Sequence, residues 1–329
     1  MSEINSYPSS GSEIEEIKIA VVTILKDLSN INEYQLAMRT FECYCIYQRY
    51  EWIVIDVSQN DTLKLLCPQK EFFFQRHCVV AQCLQENNFD YVLFIDSDMG
   101  VINPKRRIEE YIMNGKDIIF YNRIWNFEVM AGSYLVKNTK FVINFLRIWA
   151  NYNYRLPNSF HGSDNAAVHA CVRAQLETNE KWKNKISVLP KGQSWARDGW
   201  LTNSKWSEQD FIFHGWQKRR LNRRIFASWK LPFLSTKFNM SLCGTSNYIA
   251  NWKYNQSFLK DANEIRIQLN TIIVLKSIEY YKEKRKAEKI LANLMKNESL
   301  WHNSLINSSL LIMPINRTNQ KLNSNFSKI

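Results

Sequence analysis

Four short runs rich in β-branched and aromatic residues, separated by stretches with helical spacing, constrain what this chain can fold into. Ile17–Leu25 (IKIAVVTIL), Glu51–Val57 (EWIVIDV), Tyr91–Asp96 (YVLFID) and Asp117–Tyr121 (DIIFY) each read as a strand. The first is apolar almost throughout, the pattern of a strand buried on both faces. Asn32–Tyr50 and Glu71–Glu86 carry helical spacing, and Arg106–Asn114 reads as a helix after Pro104. Strands alternating with helices predict an α/β fold with a mostly parallel, doubly wound sheet. Further along, Val129–Val136 reads as a strand or hairpin, Thr139–Tyr154 as a helix capped by Thr139, Ser163–Leu176 as a helix and Ile186–Leu189 as a strand. Asp261–Asn297 is a long helical stretch with Ile265, Leu269, Ile272 and Ile273 on one face. The expected organisation is a flexible polar tail over 1–16, an α/β domain over 17–235, and a helical extension with a disordered tail over 236–329.

The chemistry-bearing residues fall where such a fold places ligands, beyond the carboxyl ends of strands. The run from Tyr91 delivers two carboxylates, Asp96 and Asp98, as the chain leaves the sheet. Two Asp one residue apart can both reach a divalent cation, and Mg²⁺ and Mn²⁺ take such oxygen ligands with phosphate oxygens completing the shell. A capped, solvated turn is the competing reading. His161-Gly162-Ser163-Asp164-Asn165 opens a helix, where Asp164 either contacts a sugar and supports developing positive charge or only satisfies the helix start. Phe211-Ile212-Phe213-His214-Gly215-Trp216 brings one His to a Gly turn, followed by Lys218, Arg219 and Arg220. His214 is a candidate Mn²⁺ ligand, and the cations can neutralise a diphosphate. In isolation, a core His beside a solvated basic segment is the simpler reading. On the Glu71–Glu86 helix, Arg76 is a candidate for a phosphate or sugar, the simpler reading being a solvated surface cation, while Phe73 and Phe74 read as core.

A net charge of +12 leaves three classes of partner open: nucleic acid, an anionic membrane, or a phosphorylated small molecule. No zinc-finger, basic-zipper or RNA-recognition signature occurs, and a nucleotide-sugar diphosphate suffices for the Lys218–Arg224 cluster. None of the seven Cys forms a CxxC pair, which argues against a structural zinc site; bridges cannot be assigned from the sequence. Met1–Glu16 has no apolar leader, and no run approaches the ~20 apolar residues of a spanning helix. Sequons stand at Asn60, Asn239, Asn255, Asn297, Asn307, Asn316 and Asn325 in an Asn-rich chain, as weak evidence for a secretory route.

The strings FIDSDMGVINP, DIIFYNRIWNFEVMAGSYLVKNT, LPNSFHGSDNAAVH, WARDGWLTNSKWS and FIFHGW, in that order, closely resemble the domain of unknown function 273 family over about Ile17 to Pro232. That family is grouped with the glycosyltransferase-A type nucleotide-diphospho-sugar transferases. The resemblance implies a glycosyltransferase-A fold around one continuous sheet, with a C-terminal helical extension that has no counterpart. It implies that Asp96 and Asp98 match the metal and diphosphate motif, and that His214 stands where related transferases place a late metal-binding His. Asp164 matches an acidic residue near the donor sugar, and Gly132-Ser133-Tyr134 the segment under the donor and acceptor sugars.

The sequence therefore leads to one expectation: transfer of a hexose from a nucleotide diphosphate sugar, uridine foremost, to a glycan or protein acceptor. Mn²⁺ or Mg²⁺ is the expected cofactor, on Asp96, Asp98 and His214. Thr23, Asp56, Arg76, Asp96 and Lys218 are the nucleotide and diphosphate candidates, and Asp164 the catalytic one. Motif order points by analogy to retention. The Golgi follows from the resemblance, against the missing leader and anchor, and leaves membrane association open. The rivals are an inactive glycan- or nucleotide-binding module of the same fold, and a basic nucleic-acid binder.

Overall fold

The computed structural model describes residues 17–155, 164–169 and 180–307. The tail over 1–16, His161–Ser163 and the residues after 307 lie outside the described residues. Two compact units form, residues 1–276 and 277–329.

In the first unit a six-stranded sheet has the order β2-β1-β3-β6-β5-β7. Its strands are β1 Ile19–Leu25, β2 Glu51–Asp56, β3 Tyr91–Ile95, β5 Ile118–Tyr121, β6 Ser133–Lys137 and β7 Ile186–Leu189. β1 pairs parallel with β2 and β3, and β5 parallel with β7; β6 runs antiparallel to both β3 and β5. The sheet is thus mixed and mostly parallel. All seven residues of β1 are buried. Ala20 and Val22 pack with α3 (Phe72–Glu86) and α4 (Lys140–Asn151), while Ile19 and Val21 pack with α1 (Ile31–Gln48). Two covered faces explain why this run lacks polar alternation. Thr139 caps α4, its hydroxyl accepting from Val142 N at 3.3 Å.

The expected single continuous sheet is corrected by a second one, β4-β9-β8, built from Met99–Val101, Ala196–Asp198 (β8) and Ile212–His214 (β9). Its three-residue strands are too short to show a periodicity. The expected helix over Arg106–Asn114 is reduced to a 3-10 turn, Ile108–Tyr111, because the chain turns again at Gly115, φ 77°. Of the strand or hairpin expected over Val129–Val136, the strand begins only at Ser133; Val129 forms an isolated antiparallel bridge with Asn122, and Gly132 O accepts from Asp96 N.

Packing continues past residue 235. Cys243 is bonded to Cys43, Trp252 Nε1 donates to Val101 O at 2.9 Å, and Ile265 and Leu269 pack on Ile124 and Leu201. A second disulfide joins Cys67 and Cys78, and Cys45 and Cys83 are buried free thiols. The helix Ala262–Asn307 ends the described chain; from Ser277 onward it forms the second unit, where Ile278, Ile290, Leu291 and Leu294 are exposed. No helix among the described residues is long and apolar enough to cross a membrane.

Candidate functional site

Strand order assembles the site. β3 ends at Ile95, the chain turns through Asp96-Ser97-Asp98, and Met99 enters β4. In the second sheet Met99 pairs with His214, and His214 with Asp198. The register therefore sets Asp98, His214 and Asp198 in a row across three strands. His214 Nε2 lies 3.3 Å from Asp98 Oδ1, and its Nδ1 lies 2.6 Å from Asp198 Oδ1. Arg123 Nη2 reaches the same Asp198 oxygen at 3.3 Å. Gly215 follows His214 with φ 96°, a left-handed turn that favours glycine, and its N–H donates to Asp98 O at 2.9 Å. The segment after the turn is thereby held on the acidic loop: Gln217 Nε2 donates to Asp98 Oδ2 at 2.8 Å, and Arg219 Nε donates to Gln217 Oε1 at 2.8 Å.

A second row lies behind Asp96. Arg76, on α3, donates to Asp96 Oδ1 and to Asp164 Oδ2, the latter from Nη2 at 2.5 Å. The expectation of a solvated surface cation is corrected: Arg76 is 4% exposed, because the partners of its charge arrive from β3 and from the helical segment 164–169. Phe73, expected in the core, is instead half exposed, with the Arg76 guanidinium 5.1 Å from its ring centroid. His77 Nε2 donates to Asp164 Oδ2 at 2.9 Å, and Tyr134 hydroxyl donates to His77 Nδ1 at 3.1 Å, while the ring stacks on Trp149.

The electrostatics follow from these pairings. Burial alone would lower the His214 imidazole, but Asp98 and Asp198 outweigh it and hold it up at about 10. Burial would raise Asp198 and Asp164; His214 and Arg123 keep the first at about 2, and Arg76 and His77 the second at about 2. Asp98 is likewise lowered, burial being overcome by His214 and Gln217. Asp96 is raised to about 6, burial prevailing over Arg76 with the like charge of Asp98 adding to it.

His77 is lowered to about 4, burial outweighing its bond to Asp164. A His whose folded pKa lies below its unfolded value contributes stability that is present above pH ~6.5 and lost as pH falls through the folded value. The unfolding free energy is expected to decline between pH ~6.5 and ~4 by up to about 3 kcal/mol, and His77→Asn to remove that slope. Urea unfolding across this range measures it; an unchanged slope in the variant would place the titration elsewhere.

The cleft over these residues has a volume of about 390 Å³. Its walls are the β1–α1 segment Ile24–Asp27 with Asn30 and Tyr34, then Phe73, Arg76, Asp96, Asp98, His214, Gln217 and Arg219. The sequence candidates distribute unevenly around it. Arg76, Asp96, Asp98 and His214 line it. Asp164 is 2% exposed behind Arg76, and Thr23 is fully buried within β1, its hydroxyl without a partner among the described residues. Asp56 pairs in register with Leu25, but its Oδ1 is taken by Ser58 N at 2.8 Å. Lys218 lines a neighbouring cleft with Glu33, Arg39 and Trp216, and Arg219 is the cation on the acidic side. Asp198, His77, Tyr34 and Gln217 were not singled out by the sequence. The WARDGW string contained Asp198, and only strand pairing reveals its partner.

Among the described residues no three His, Cys, Asp or Glu side chains are gathered as a ready metal-holding set. The pair Asp98–His214 nevertheless fits a divalent cation. Adjacent ligands on an octahedral ion with bonds of ~2.1 Å stand roughly 3 Å apart, close to the 3.3 Å between Asp98 Oδ1 and His214 Nε2. A carboxylate on the far ring nitrogen, as Asp198 provides, is the usual support of a metal-bound His.

The family described as "Protein of unknown function, DUF273" matches residues 41–182 and 169–230. No curated protein matches the chain. Among solved structures the chain is similar to a glycosyltransferase involved in the glycosylation of the major capsid of PBCV-1, at 12% identity and TM-score 0.43, covering 60% of this chain and 93% of that one. It is also similar to the glycosyltransferase GlyE of Streptococcus pneumoniae TIGR4, at 14% identity and TM-score 0.36, covering 53% of this chain and 45% of that one.

Proposed function

The chain belongs to the DUF273 family of proteins of unknown function, and from that premise we propose that it is a metal-dependent glycosyltransferase acting on a nucleotide diphosphate sugar. The observation that carries the reading is the row Asp98–His214–Asp198, set beside Asp96 in one cleft with Arg76 and Arg219. Asp98 and His214 would hold Mn²⁺ or Mg²⁺, with Asp96 beside them, and the cation would supply charge that stabilises a departing diphosphate.

The chain's own residues do the rest. Asp198 fixes the His214 ring so that Nε2 faces Asp98, and Arg123 fixes Asp198. Gln217 and Arg219 tie the segment after His214 to the acidic loop, so closing this segment and forming the site are one event. Arg76 presents a permanent charge to the cleft, and we infer that Asp164 acts by holding that charge rather than by touching the sugar. The uridine base, a hexose as the transferred group, a glycan or protein acceptor and retention follow from the family resemblance and belong to the proposal. Cys43–Cys243 and Cys67–Cys78 support an oxidising compartment such as the Golgi.

Calorimetry tests the reading. Uridine diphosphate is expected to bind with Mn²⁺ and not in chelator, and a panel of uridine diphosphate sugars should show slow hydrolysis of one donor. Equal affinity in chelator overturns it. Mn²⁺-dependent binding with no hydrolysis of any donor favours the binding module.

Gly132 supplies a further test. Its carbonyl accepts from Asp96 N at 2.7 Å, and a Cβ built there would stand 2.1 Å from Asp96 Oδ2. Gly132→Ala must displace Asp96, costing about 1–3 kcal/mol of stability and on the order of 10²-fold in donor hydrolysis. Near-normal hydrolysis would show that Asp96 need not keep its position.

A further inference from the structure

Two observations outside the cleft bear on one another: the disulfides, and the side chains of the sequons. Cys43 and Cys243 are bonded across a separation of 200 residues, and Cys67 and Cys78 across 11. Such bonds persist in oxidising compartments and are rare where thiols are kept reduced. Three sequons have described side chains: Asn60-Asp61-Thr62, Asn239-Met240-Ser241 and Asn255-Gln256-Ser257. In each the Asn side chain bonds the described residues through its oxygen alone. Asn60 Oδ1 accepts from Leu63 N at 2.9 Å. Asn239 Oδ1 accepts from Ser241 N and Oγ at 3.2 and 2.7 Å, and Asn255 Oδ1 from Ser257 N and Oγ at 3.1 and 2.9 Å.

The amide nitrogen Nδ2 of each of the three is therefore uncommitted. Other asparagines commit the same nitrogen to the fold: Asn103, Asn138 and Asn251 each spend Nδ2 on a backbone carbonyl, Glu208 O, Leu84 O and Asn239 O respectively. A bulky group on those nitrogens would break the fold. On Asn60, Asn239 and Asn255 it would break nothing, and none of the three lines the cleft of Asp96 and Asp98.

We propose that this chain carries N-linked glycans at Asn60, Asn239 and Asn255, placed during passage through an oxidising secretory compartment. The co-reactant is a lipid-linked oligosaccharide diphosphate. The Asn Nδ2–C1 bond forms, the C1–O bond to the diphosphate breaks, the amide gives up one proton, and the lipid diphosphate leaves. No metal or transfer chemistry of the chain itself enters, so the inference stands apart from the proposed function.

The test is a peptide map. The full chain is secreted from eukaryotic cells behind a cleavable leader, and its tryptic peptides are weighed before and after peptide N-glycosidase. The expected result is glycan on all three peptides, Asp in place of Asn after the enzyme, and both disulfides intact. Asn60→Gln, Asn239→Gln and Asn255→Gln should each remove one glycan increment from the intact mass. Unmodified asparagine at a site in the secreted, disulfide-bonded protein overturns the inference for that site, whatever the variants do. Reduced Cys43, Cys67, Cys78 and Cys243 in chain isolated from its own cells would overturn it for all three.

Discussion

Asp98→Asn is expected to abolish Mn²⁺-dependent binding of uridine diphosphate and to lower donor hydrolysis by about 10²- to 10³-fold, the loss typical of removing a main electrostatic stabiliser. Asp98 is 7% exposed, so it is not the solvent-facing turn residue that the sequence alone suggests, and the substitution also costs stability. Its Oδ1 faces His214 and its Oδ2 accepts from Gln217. An amide there offers one acceptor for two donors and leaves the charge on His214 to Asp198 alone. Breaking a buried pair costs about 3–5 kcal/mol; Asp198 remains, so the loss should fall at or below the lower end. Asp198→Asn gives the contrast. It leaves both residues that face the cation and removes only the support of the ring, for which a 10- to 100-fold loss of metal affinity is about right. Calorimetry with and without Mn²⁺, beside urea unfolding in chelator, separates the two effects. Intact Mn²⁺-dependent binding in Asp98→Asn would put the cation elsewhere and remove the basis of the proposed function.

The parts of this site that were legible in the sequence are those set by local pattern. β1 and β3 announce themselves because burial on both faces forbids polar alternation, and Asp96 and Asp98 stand out as the first charges after such a run. His214 is visible for the same reason, between an apolar lead and Gly215. What local pattern does not carry is pairing. Asp198 gains its meaning only when β8 and β9 align it with His214; Phe211–Phe213 reads as a short buried strand, but the three residues of β8 are too few to be read. Arg76 sits on a helix as a single cation, indistinguishable from a surface residue until Asp96, 20 residues away, and Asp164, 88 away, close on it. Lys218 and Arg219 are neighbours of equal charge, and the turn through Gln217 alone decides which of them faces the acidic loop. The disulfide between Cys43 and Cys243 spans 200 residues of the first unit and is likewise a fact of tertiary folding.

Arg76→Met is expected to cause the largest loss of stability of any single substitution at this site. Methionine keeps an unbranched apolar stem of similar length and deletes the guanidinium, which lies over the Phe73 and Phe94 rings and is shared by Asp96 and Asp164. Asp164, 2% exposed, would be left with the neutral His77 and the Asn165 N–H as partners and no counter-charge. An uncompensated buried carboxylate costs about 3–5 kcal/mol, which for a chain of this size lowers the melting temperature by roughly 4–7 °C. The pH dependence carries a sign. Without Arg76 the folded pKa of Asp164 rises above its unfolded value, so its contribution is best at low pH and is lost as pH rises through the folded pKa. The deficit against the parent should therefore be greatest near neutrality and shrink on acidification. Asp164→Asn needs no counter-charge, so the double variant Arg76→Met/Asp164→Asn should be more stable than the two single losses added together, with a coupling of about 1–3 kcal/mol. Urea unfolding of the four proteins at pH 7 and pH 5 in chelator gives both quantities. A deficit that ignores both pH and Asp164→Asn would mean that Arg76 acts only through the packing of its stem, and that the charge it presents to the cleft is held by something other than Asp164.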